Sequence, residues 1–478
     1  MKTANNFFFN LIQSLSSVLF PLVTFPYASR ILGPEGIGLT NFAENFCRYF
    51  MLFAALGIPI YGVREIAKVS DSFQLRSKIF SEIIVIHFSA SCINVLVYLL
   101  IIFSFDKFQN HLGIYLLGAF YIFINTFSVE WFFNGLSEFK FIALRSVLIR
   151  FLFVIGLFVL VRDTSDVFWY FSLNVIVLFI NNLISLYYCK GKIQFKIEEL
   201  EIRKHLKPLF YIFLSTLAIS LYILIDTLIL GFLKKDTFVG YYTLASKLNK
   251  VPLTFIVALG IVLIPQLTLA AHEKDMVSFE KLIKKSTDFV VMVGVPITIG
   301  LFICSKQLII LFSGAEFLQG LKSMQIMTAV SLLIGLSNIY GMQILIPLGE
   351  DKKLLISVLI GTILSLTLNF ILIPVWADQG AALTNLLSEL AVTILAGYFA
   401  SRVINIGSPI KNIALQILCY LPIVVFYFFL GQSINSEILY IIIISFLILI
   451  TFLFVNLKLL KTPLALESYE VLKQKIKI

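Results

Sequence analysis

Charged residues are scarce in this sequence. Only 13% of its 478 residues are Asp, Glu, Lys or Arg, whereas 59% are hydrophobic, and the mean hydropathy is +0.97. A chain of this length with so few polar side chains cannot cover an apolar core, which excludes a soluble globular protein. The composition predicts a protein whose solvent is the lipid bilayer.

Residues that carry chemistry are also few. The five cysteines lie in different apolar runs without metal-ligand spacing: Cys47, Cys92, Cys189, Cys304 and Cys419. The sequence has no glycine-rich phosphate loop, no His/Cys ligand cluster and no nucleophile elbow. The pattern therefore argues against disulfides, metal sites, cofactors and catalysis. It also argues against a membrane glycosyltransferase, whose outer loops would be long and rich in acids or arginines.

Long apolar runs fill the sequence instead. A membrane-spanning helix needs about 20 mostly apolar residues, and such runs follow one another from Phe7 to Asn456 with short polar breaks. The first run continues past Pro21 to Leu32 without a cleavage pattern of small residues, so we interpret it as a retained span. The sequence predicts an all-α polytopic membrane protein with about fourteen transmembrane helices.

Loop charges predict the orientation of these spans. With the N-terminus in the cytoplasm, only seven of the 37 Lys and Arg residues fall in outer loops: Arg30, Lys107, Arg162, Lys234, Lys235, Lys306 and Lys322. Positive charge collects on cytoplasmic loops, so we expect a multi-pass inner-membrane protein with both termini in the cytoplasm. The net charge of +10 then faces anionic lipid, and no nucleic-acid partner is expected.

The spans predict two six-helix lobes and an appendage. Residues 1–190 form the first lobe, 191–207 a basic cytoplasmic linker, and 208–405 the second lobe. A helix pair at 406–457 and a basic cytoplasmic tail at 458–478 follow. The tail carries leucines among its lysines, which suits either a solvated segment or one that lies on the membrane surface.

An internal repeat relates the two lobes. Span two opens with IGLTNFAENF from Ile37 and span eight with VGYYTLASKL from Val239, an offset of 202 residues that pairs Gly38 with Gly240. Transporters are often built from repeated halves. Six spans per half give both halves the same polarity, so the repeat predicts an axis along the membrane normal and a central cavity.

Polar residues recur on these matched helices. Each helix carries them at i, i+3, i+4 and i+7, which is one helix face: Asn41, Glu44, Asn45 and Arg48 correspond to Thr243, Ser246, Lys247 and Lys250. Arg48 lies about 18 Å along its span from Gly36, near the middle of the bilayer. A cation there costs about 2.5 to 3.5 kcal/mol, so it faces a partner or a wet cavity.

Two hypotheses account for these cations. In the structural one, Arg48 pairs with Glu44 one turn earlier, and the lysines pair with acids on other spans. In the functional one, both polar faces line the cavity and hold a phosphate or diphosphate, with Arg48 as a bidentate fork and the lysines as point charges. The acids are candidates either for such pairing or for binding a coupling ion: Glu44, Asp226, Glu389 and Glu130.

Prolines single out span one. Pro21 and Pro26 lie within it, whereas span seven has no proline between Pro208 and Pro252. Proline inside a helix removes a hydrogen bond and kinks the helix. Span one is therefore a candidate bending or moving element.

Several segments resemble a known family. PYASRILGPEGIGLTNF from Pro26, LGIPIYGVREIA from Leu56 and WFFNGLSEFKFIALR from Trp131 resemble the Wzx-type polysaccharide-unit flippases of the multidrug/oligosaccharidyl-lipid/polysaccharide (MOP) exporter superfamily. The stretch from Ala245 through Ile264-Pro265-Gln266 is similar to the start of that family's second half. The resemblance covers roughly residues 5 to 405.

The resemblance implies a function. Such proteins flip undecaprenyl-diphosphate-linked oligosaccharide units outward by alternating access, in a pathway with a polymerase and a chain-length regulator. It assigns the diphosphate to Arg48, Lys247 and Lys250, and a gate role to Arg30. The alternatives are a multidrug exporter of the same superfamily, a lipid II-type flippase suggested by the extra helix pair, and a polymerase or scaffold of another class.

Overall fold

The chain folds almost entirely into helices. The structure is a computed structural model that describes residues 2–196, 200–404, 409–430, 436–460, 462, 465–466 and 469. Within these residues, ten helical segments are long and apolar enough to cross a membrane. The prediction of an all-α polytopic membrane protein is confirmed. Most of the predicted basic tail, and residues 197–199 of the linker, lie outside the described residues.

The helices run in chain order as follows: α1 Lys2–Ala55, α2 Ile58–Lys68, α3 Phe73–Ser104, α4 Leu112–Asn125, α5 Glu130–Gly135, α6 Phe139–Leu160, α7 Val167–Cys189, α8 Arg203–Leu233, α9 Asp236–His272, α10 Met276–Ile303, α11 Ser305–Ser313, α12 Leu321–Met327, α13 Val330–Asn338, α14 Asp351–Ser401, α15 Ile410–Leu430 and α16 Glu437–Phe454. A π-helical segment, Ile339–Leu345, continues α13.

Two of these helices each contain two predicted spans. α1 covers spans one and two, and its backbone leaves helical geometry at Gly33, with φ 66° and ψ −179°. Glycine reaches positive φ without a steric penalty, so the turn between the spans falls there. α14 covers spans eleven and twelve and turns at Ala377, with φ 48°. With α8 and α9 as spans seven and eight, the helices agree with about fourteen spans.

Two compact units divide the chain at Gly240: Met1–Gly240 and Tyr241–Ile478. α8, predicted to begin the second lobe, lies in the first unit and packs against α1 and α2. The first unit buries an aromatic core that includes Tyr61, Phe80, Trp131 and Phe132. The core of the second unit includes Ile256, Phe279, Tyr340, Tyr420 and Tyr440. The predicted lobe boundaries follow the internal repeat and differ from the boundary between these units. They stay a prediction.

Large apolar side chains also point outward. Leu100 on α3 is 68% exposed, Ile363 on α14 is 64% exposed and Phe446 on α16 is 61% exposed. A soluble monomer rarely carries such side chains over much of its surface. A bilayer solvates them, so these helix faces suit contact with lipid.

The two glycines matched by the repeat lie in one reciprocal contact inside the first unit. A Cβ built on Gly38 would lie 1.7 Å from the Asp236 carbonyl oxygen, and one built on Gly240 would lie 1.9 Å from the Pro34 carbonyl oxygen. Each glycine therefore faces the residue four positions before the other glycine. The same offset of 202 relates both halves of the contact, as a local two-fold axis would. This geometry supports the predicted repeat.

The predicted linker is bound along α3. The Ser77 Oγ accepts a hydrogen bond from Gln194 N at 2.9 Å, and the Ser81 Oγ accepts one from Lys196 N at 3.0 Å. Side-chain acceptors on a helix thus satisfy backbone donors that an irregular segment leaves unpaired. The first part of the linker therefore belongs to the first unit.

A buried ionic cluster holds the next part of the linker. Glu82, with no exposed surface, accepts hydrogen bonds from His205 Nε2 at 2.7 Å and from Glu201 N at 2.8 Å. Lys204 Nζ lies 3.0 Å from the same carboxylate. Because an ionised carboxylate only accepts, His205 carries a proton on Nε2, and its Nδ1 lies 2.6 Å from the Tyr61 hydroxyl oxygen in a second hydrogen bond. Glu82 therefore joins α3, α2 and α8.

Candidate functional site

The polar face of α1 carries an ion pair. Arg48 Nη2 lies 2.6 Å from Glu44 Oε1, across one helical turn. The local pairing proposed from the sequence is therefore present. The two side chains are 52% and 25% exposed, so the pair is not enclosed in the core. An exposed cation about 18 Å into a span needs a polar surrounding, which this face of α1 must provide.

Two tyrosines from other helices approach this pair. Tyr121 of α4 and Tyr170 of α7 both interact electrostatically with Glu44. Asn41 donates to the Ile37 carbonyl oxygen of its own helix at 3.1 Å, and Asn45 is half-buried beside the pair in sequence. Sequence reasoning missed the tyrosines because they lie on distant spans. Tyr121 lies within the apolar run of α4, whereas Tyr170 lies in the first turn of α7.

The matching polar face lies on α9 in the second unit. Thr243 is 6% exposed, Ser246 and Lys247 are half-buried, and Lys250 is exposed. The neighbouring Asn249 donates to the Ala245 carbonyl oxygen at 2.9 Å. The accessibility of this face thus increases along the helix toward Lys250, as that of the α1 face increases toward Arg48. The repeat therefore appears in the exposure of these side chains as well as in the sequence.

The four candidate acids have different surroundings. Glu44 pairs with Arg48, and Glu130 at the start of α5 pairs with the buried Arg145 of α6. Asp226 of α8 is 1% exposed and interacts electrostatically with Tyr49. Glu389 of α14 is 6% exposed and accepts a hydrogen bond from Ser337 Oγ at 2.7 Å. The coupling-ion role of these four acids stays a prediction.

Sequence reasoning missed two arginines inside α6. Arg145 donates to Ser185 Oγ at 2.6 Å in addition to its pair with Glu130. Arg150, farther along the helix, donates to the Gln13 carbonyl oxygen at 3.1 Å and to Ser16 Oγ. Both lie within the apolar run 142–161, which the sequence predicts as the fifth span. Their position within an apolar run could have indicated that they lie inside the membrane.

Replacing Arg150 by methionine is expected to loosen α1 from α6. Methionine keeps an unbranched chain of similar length but removes both hydrogen bonds, and a hydrogen bond from a charged donor contributes about 1.5–3 kcal/mol. We expect a lower Tm of the detergent-solubilised protein. Arg162→Met, in an exposed loop, is the control, and equal Tm values for the two variants would contradict the prediction.

The candidate gate residues lie along the first half of α1. Arg30 and Pro21 are exposed, and Pro26 is half-buried. The helix continues through both prolines, and its backbone leaves helical geometry at Gly33. Proline in a membrane helix is tolerated where neighbouring groups satisfy the freed carbonyl. The gate roles of these residues stay predictions.

Two acidic groups outside the spans have pKa values that are shifted by their surroundings. Burial raises the pKa of Asp236 above its ordinary value, although Lys107 at 3.8 Å opposes that shift. Hydrogen bonds from Lys78 and Lys204 hold the pKa of Glu201 below its ordinary value. Within the described residues, no group of three or more His, Cys, Asp or Glu side chains could hold a metal ion.

These features define a class, a multi-pass helical membrane protein with intramembrane charges on its span faces. A family model described as polysaccharide biosynthesis protein matches residues 3–271, which is more than half of the chain. The chain therefore belongs to the polysaccharide biosynthesis protein family. It is 27% identical over 385 residues to the "Putative O-antigen transporter" of Escherichia coli (strain K12), a match that covers 80% of this chain and 92% of the relative.

The fold resembles that of transporters with solved structures. The chain resembles the lipid II flippase MurJ in an inward closed conformation, with TM-score 0.72 and 17% identity over 94% of this chain and 98% of that one. It also resembles an inward-facing multidrug resistance MATE family transporter of the MOP superfamily, with TM-score 0.62 and 15% identity over 80% and 94% of the two chains. The resemblance to this superfamily is confirmed, and at these identities it concerns the fold.

Proposed function

We propose that the chain is a flippase. It moves an undecaprenyl-diphosphate-linked oligosaccharide, such as an O-antigen or capsular repeat unit, from the cytoplasmic to the periplasmic leaflet by alternating access. The observation that carries the proposal is the exposed Arg48 at mid-span, matched at the repeat offset by the exposed Lys250 of α9. The family of the chain and the name of its relative agree with this function.

The Glu44–Arg48 pair suits a site that exchanges ligands. While the site is empty of substrate, Glu44 satisfies the guanidinium. A diphosphate presents more oxygens and more negative charge, and it competes for the same donors with bidentate geometry. Glu44 thus lowers the cost of the cation without burying it. Asn41, Asn45, Thr243, Ser246 and Lys247 complete the proposed site, and Tyr121 and Tyr170 offer hydroxyl groups to the sugars.

The membrane potential supplies a direction for transport. An inside-negative potential favours outward movement of an anion by about 2.3 kcal/mol per charge per 100 mV. The diphosphate carries that charge, whereas the fixed cations stay with the protein.

Two further parts of the proposal concern partners and orientation. A polymerase and a chain-length regulator act on the delivered unit outside the membrane. Both termini of the chain lie in the cytoplasm.

A multidrug exporter is the nearest alternative, because the chain shares its fold with a MATE family transporter. A site for cationic drugs would present acids at mid-span, yet the repeated exposed charge here is basic. Drug susceptibility that rises on deletion of the chain, with unchanged surface polysaccharide, would favour that alternative.

Removing either of the two exposed cations is expected to lower transport strongly. Arg48→Ala and Lys250→Ala each remove a donor to the diphosphate, and we expect each to lower surface polysaccharide at least tenfold, as the loss of one charge-assisted contact of about 1.5–3 kcal/mol implies. Arg48→Lys should retain part of the activity, because it keeps the charge but loses the fork. The measurement is quantitative surface polysaccharide staining at equal protein level.

Arg64→Ala is the matched control. Arg64 is 54% exposed and also contacts one glutamate, Glu65, at 3.0 Å, but it lies outside the proposed site on α2. We expect that variant to behave as wild type. Wild-type polysaccharide in both Arg48→Ala and Lys250→Ala would rule out the role of the cations.

A further inference from the structure

The first turns of α8 present an exposed face that takes no part in the proposed substrate site. Its side chains recur at spacings of three and four residues, which places them along one side of the helix. Leu206 is 47% exposed and Phe210 is 55% exposed. The α8 outer face, as we call it, consists of Arg203, Leu206, Lys207, Phe210 and Leu214.

The opposite face of the same turns is buried and fixes the orientation of the helix. His205, Leu209 and Phe213 follow it at intervals of four residues, and each is buried. His205 is bound to Glu82 of α3 at 2.7 Å. Leu209 belongs to the aromatic core of the first unit, and the Phe213 ring lies 5.4 Å from the Phe53 ring of α1. The helix is therefore held by its buried face, and the α8 outer face points away from the core.

The α8 outer face changes from basic to apolar along the helix. Its two cations are the first and fifth residues of α8, and the span predicted from the sequence begins directly after Lys207, at residue 208. Leu214 lies about 10 Å farther along the axis than Lys207. A water-filled cavity would need polar groups at that depth, whereas Phe210 and Leu214 offer none. The face therefore suits contact with lipid, with its cations at the level of the headgroups.

The two cations are available to a ligand. Among the residues that the structure describes, neither Arg203 nor Lys207 forms an ion pair with an acid, although the neighbouring Lys204 contacts Glu82 and Glu201. Arg203 and Lys207 are one turn apart, about 6 Å along the axis, so both can reach one phosphate group between them. Arginine offers a phosphate a planar fork of donors, and lysine offers a point charge.

We propose that the α8 outer face binds an anionic phospholipid of the predicted cytoplasmic leaflet. Arg203 and Lys207 hold the phosphate of the headgroup, while Leu206, Phe210 and Leu214 lie along an acyl chain. A phospholipid fits better than a prenyl-linked oligosaccharide, because the face has no amide or hydroxyl group for sugars. Such a lipid stays bound to the protein, and its binding does not depend on the transported substrate.

The bound phospholipid strengthens the attachment of α8 to the first unit. On its buried side this attachment runs through Glu82, which accepts hydrogen bonds from Glu201 N at 2.8 Å and from His205. A lipid that binds Arg203 and Lys207 holds the same turns of the helix from the other side. A ligand of the native state raises its stability by mass action, so we expect anionic lipid to raise the Tm of the chain.

Thermal unfolding and native mass spectrometry measure the binding of this lipid. The full chain in a nonionic detergent is titrated with phosphatidylglycerol or with zwitterionic phosphatidylcholine. We expect phosphatidylglycerol to raise the Tm by several degrees and to be retained on the protein, and phosphatidylcholine to do neither. Each basic residue near an anionic surface strengthens binding about fivefold. Arg203→Gln combined with Lys207→Gln should therefore weaken the apparent affinity about 25-fold.

Lys190→Gln combined with Lys196→Gln is the matched control. It removes the same charge from two exposed lysines that lie outside the α8 outer face, and we expect a wild-type response to phosphatidylglycerol. Without added lipid, both double variants should have the Tm of wild type, because all four side chains are exposed. A difference in lipid response then reports binding at the face and not a loss of folding.

Several results would overturn the phospholipid site. They are a wild-type Tm that does not change with phosphatidylglycerol, equal responses to the two lipids, an unchanged response after removal of Arg203 and Lys207, and an equal loss in both double variants. The same titration with undecaprenyl diphosphate tests the other phosphate-bearing lipid. If it alone raised the Tm, and did so only with both cations present, the face would be an entry site for that lipid and the phospholipid would be ruled out.

Discussion

Valine at Gly38 or at Gly240 is expected to prevent the chain from reaching its native packing. A Cβ at either position would lie less than 2 Å from a carbonyl oxygen, at 1.7 Å and 1.9 Å respectively. Overpacking usually costs about 1–3 kcal/mol when side chains can move aside. Here the obstacle is backbone on both sides, so we expect a larger loss, seen as aggregated protein in size-exclusion chromatography of the solubilised chain.

Gly113→Ala is the matched control for these variants. A Cβ on Gly113 would meet the Phe168 ring at 3.6 Å, an ordinary contact, and this residue also lies in a membrane helix. We expect that variant to elute as a single species with an unchanged Tm. Alanine at Gly38 should already lower the Tm, because the clash begins at Cβ. A stable Gly38→Val protein would show that α1 and α9 do not pack through these backbones.

The glycine pair shows what sequence patterns can reveal about the fold. The offset of 202 singled out Gly38 and Gly240 from the sequence, and the structure supplies the reason for glycine at both positions, a reciprocal backbone contact. Apolar run length predicted the spans because a bilayer imposes a fixed helix length. The position of the turn at Gly33 was harder to predict, because proline is the usual sign of a helix kink and the helix continues through Pro21 and Pro26.

The candidate site was predictable where it depends on local geometry. The i to i+4 spacing predicted the contact of Glu44 with Arg48, because helix periodicity fixes it. Contacts between distant segments had no such rule. Arg150 reaches Ser16 across 134 residues, and Glu82 reaches His205 across 123. Spacing along one helix cannot indicate which span will lie beside another.

Removal of Glu82 is expected to be the most damaging change of a charged side chain. Glu82→Ala leaves His205 and the Glu201 backbone N–H without their buried acceptor, and Lys204 keeps only the exposed Glu201 as a counter-ion. Breaking a buried ion pair by deleting one partner costs about 3–5 kcal/mol. We expect a large fall in Tm. Tryptophan fluorescence can measure it, because Trp131 lies in the core formed around Tyr61 and Phe80.

Two further variants separate charge from shape in this cluster. Glu82→Gln keeps the volume and one acceptor oxygen, so we expect a smaller loss than for alanine. Glu201→Ala retains the backbone N–H that Glu82 accepts and removes only a carboxylate that is 62% exposed, so we expect little change. If Glu201→Ala were as damaging as Glu82→Ala, the surface contacts with Lys78 and Lys204 would hold the linker, and the buried carboxylate would not. If the order is as expected, the linker and the start of α8 are fixed to the first unit through Glu82, and the Tm difference between wild type and Glu82→Gln measures how much of that attachment depends on the charge of the carboxylate.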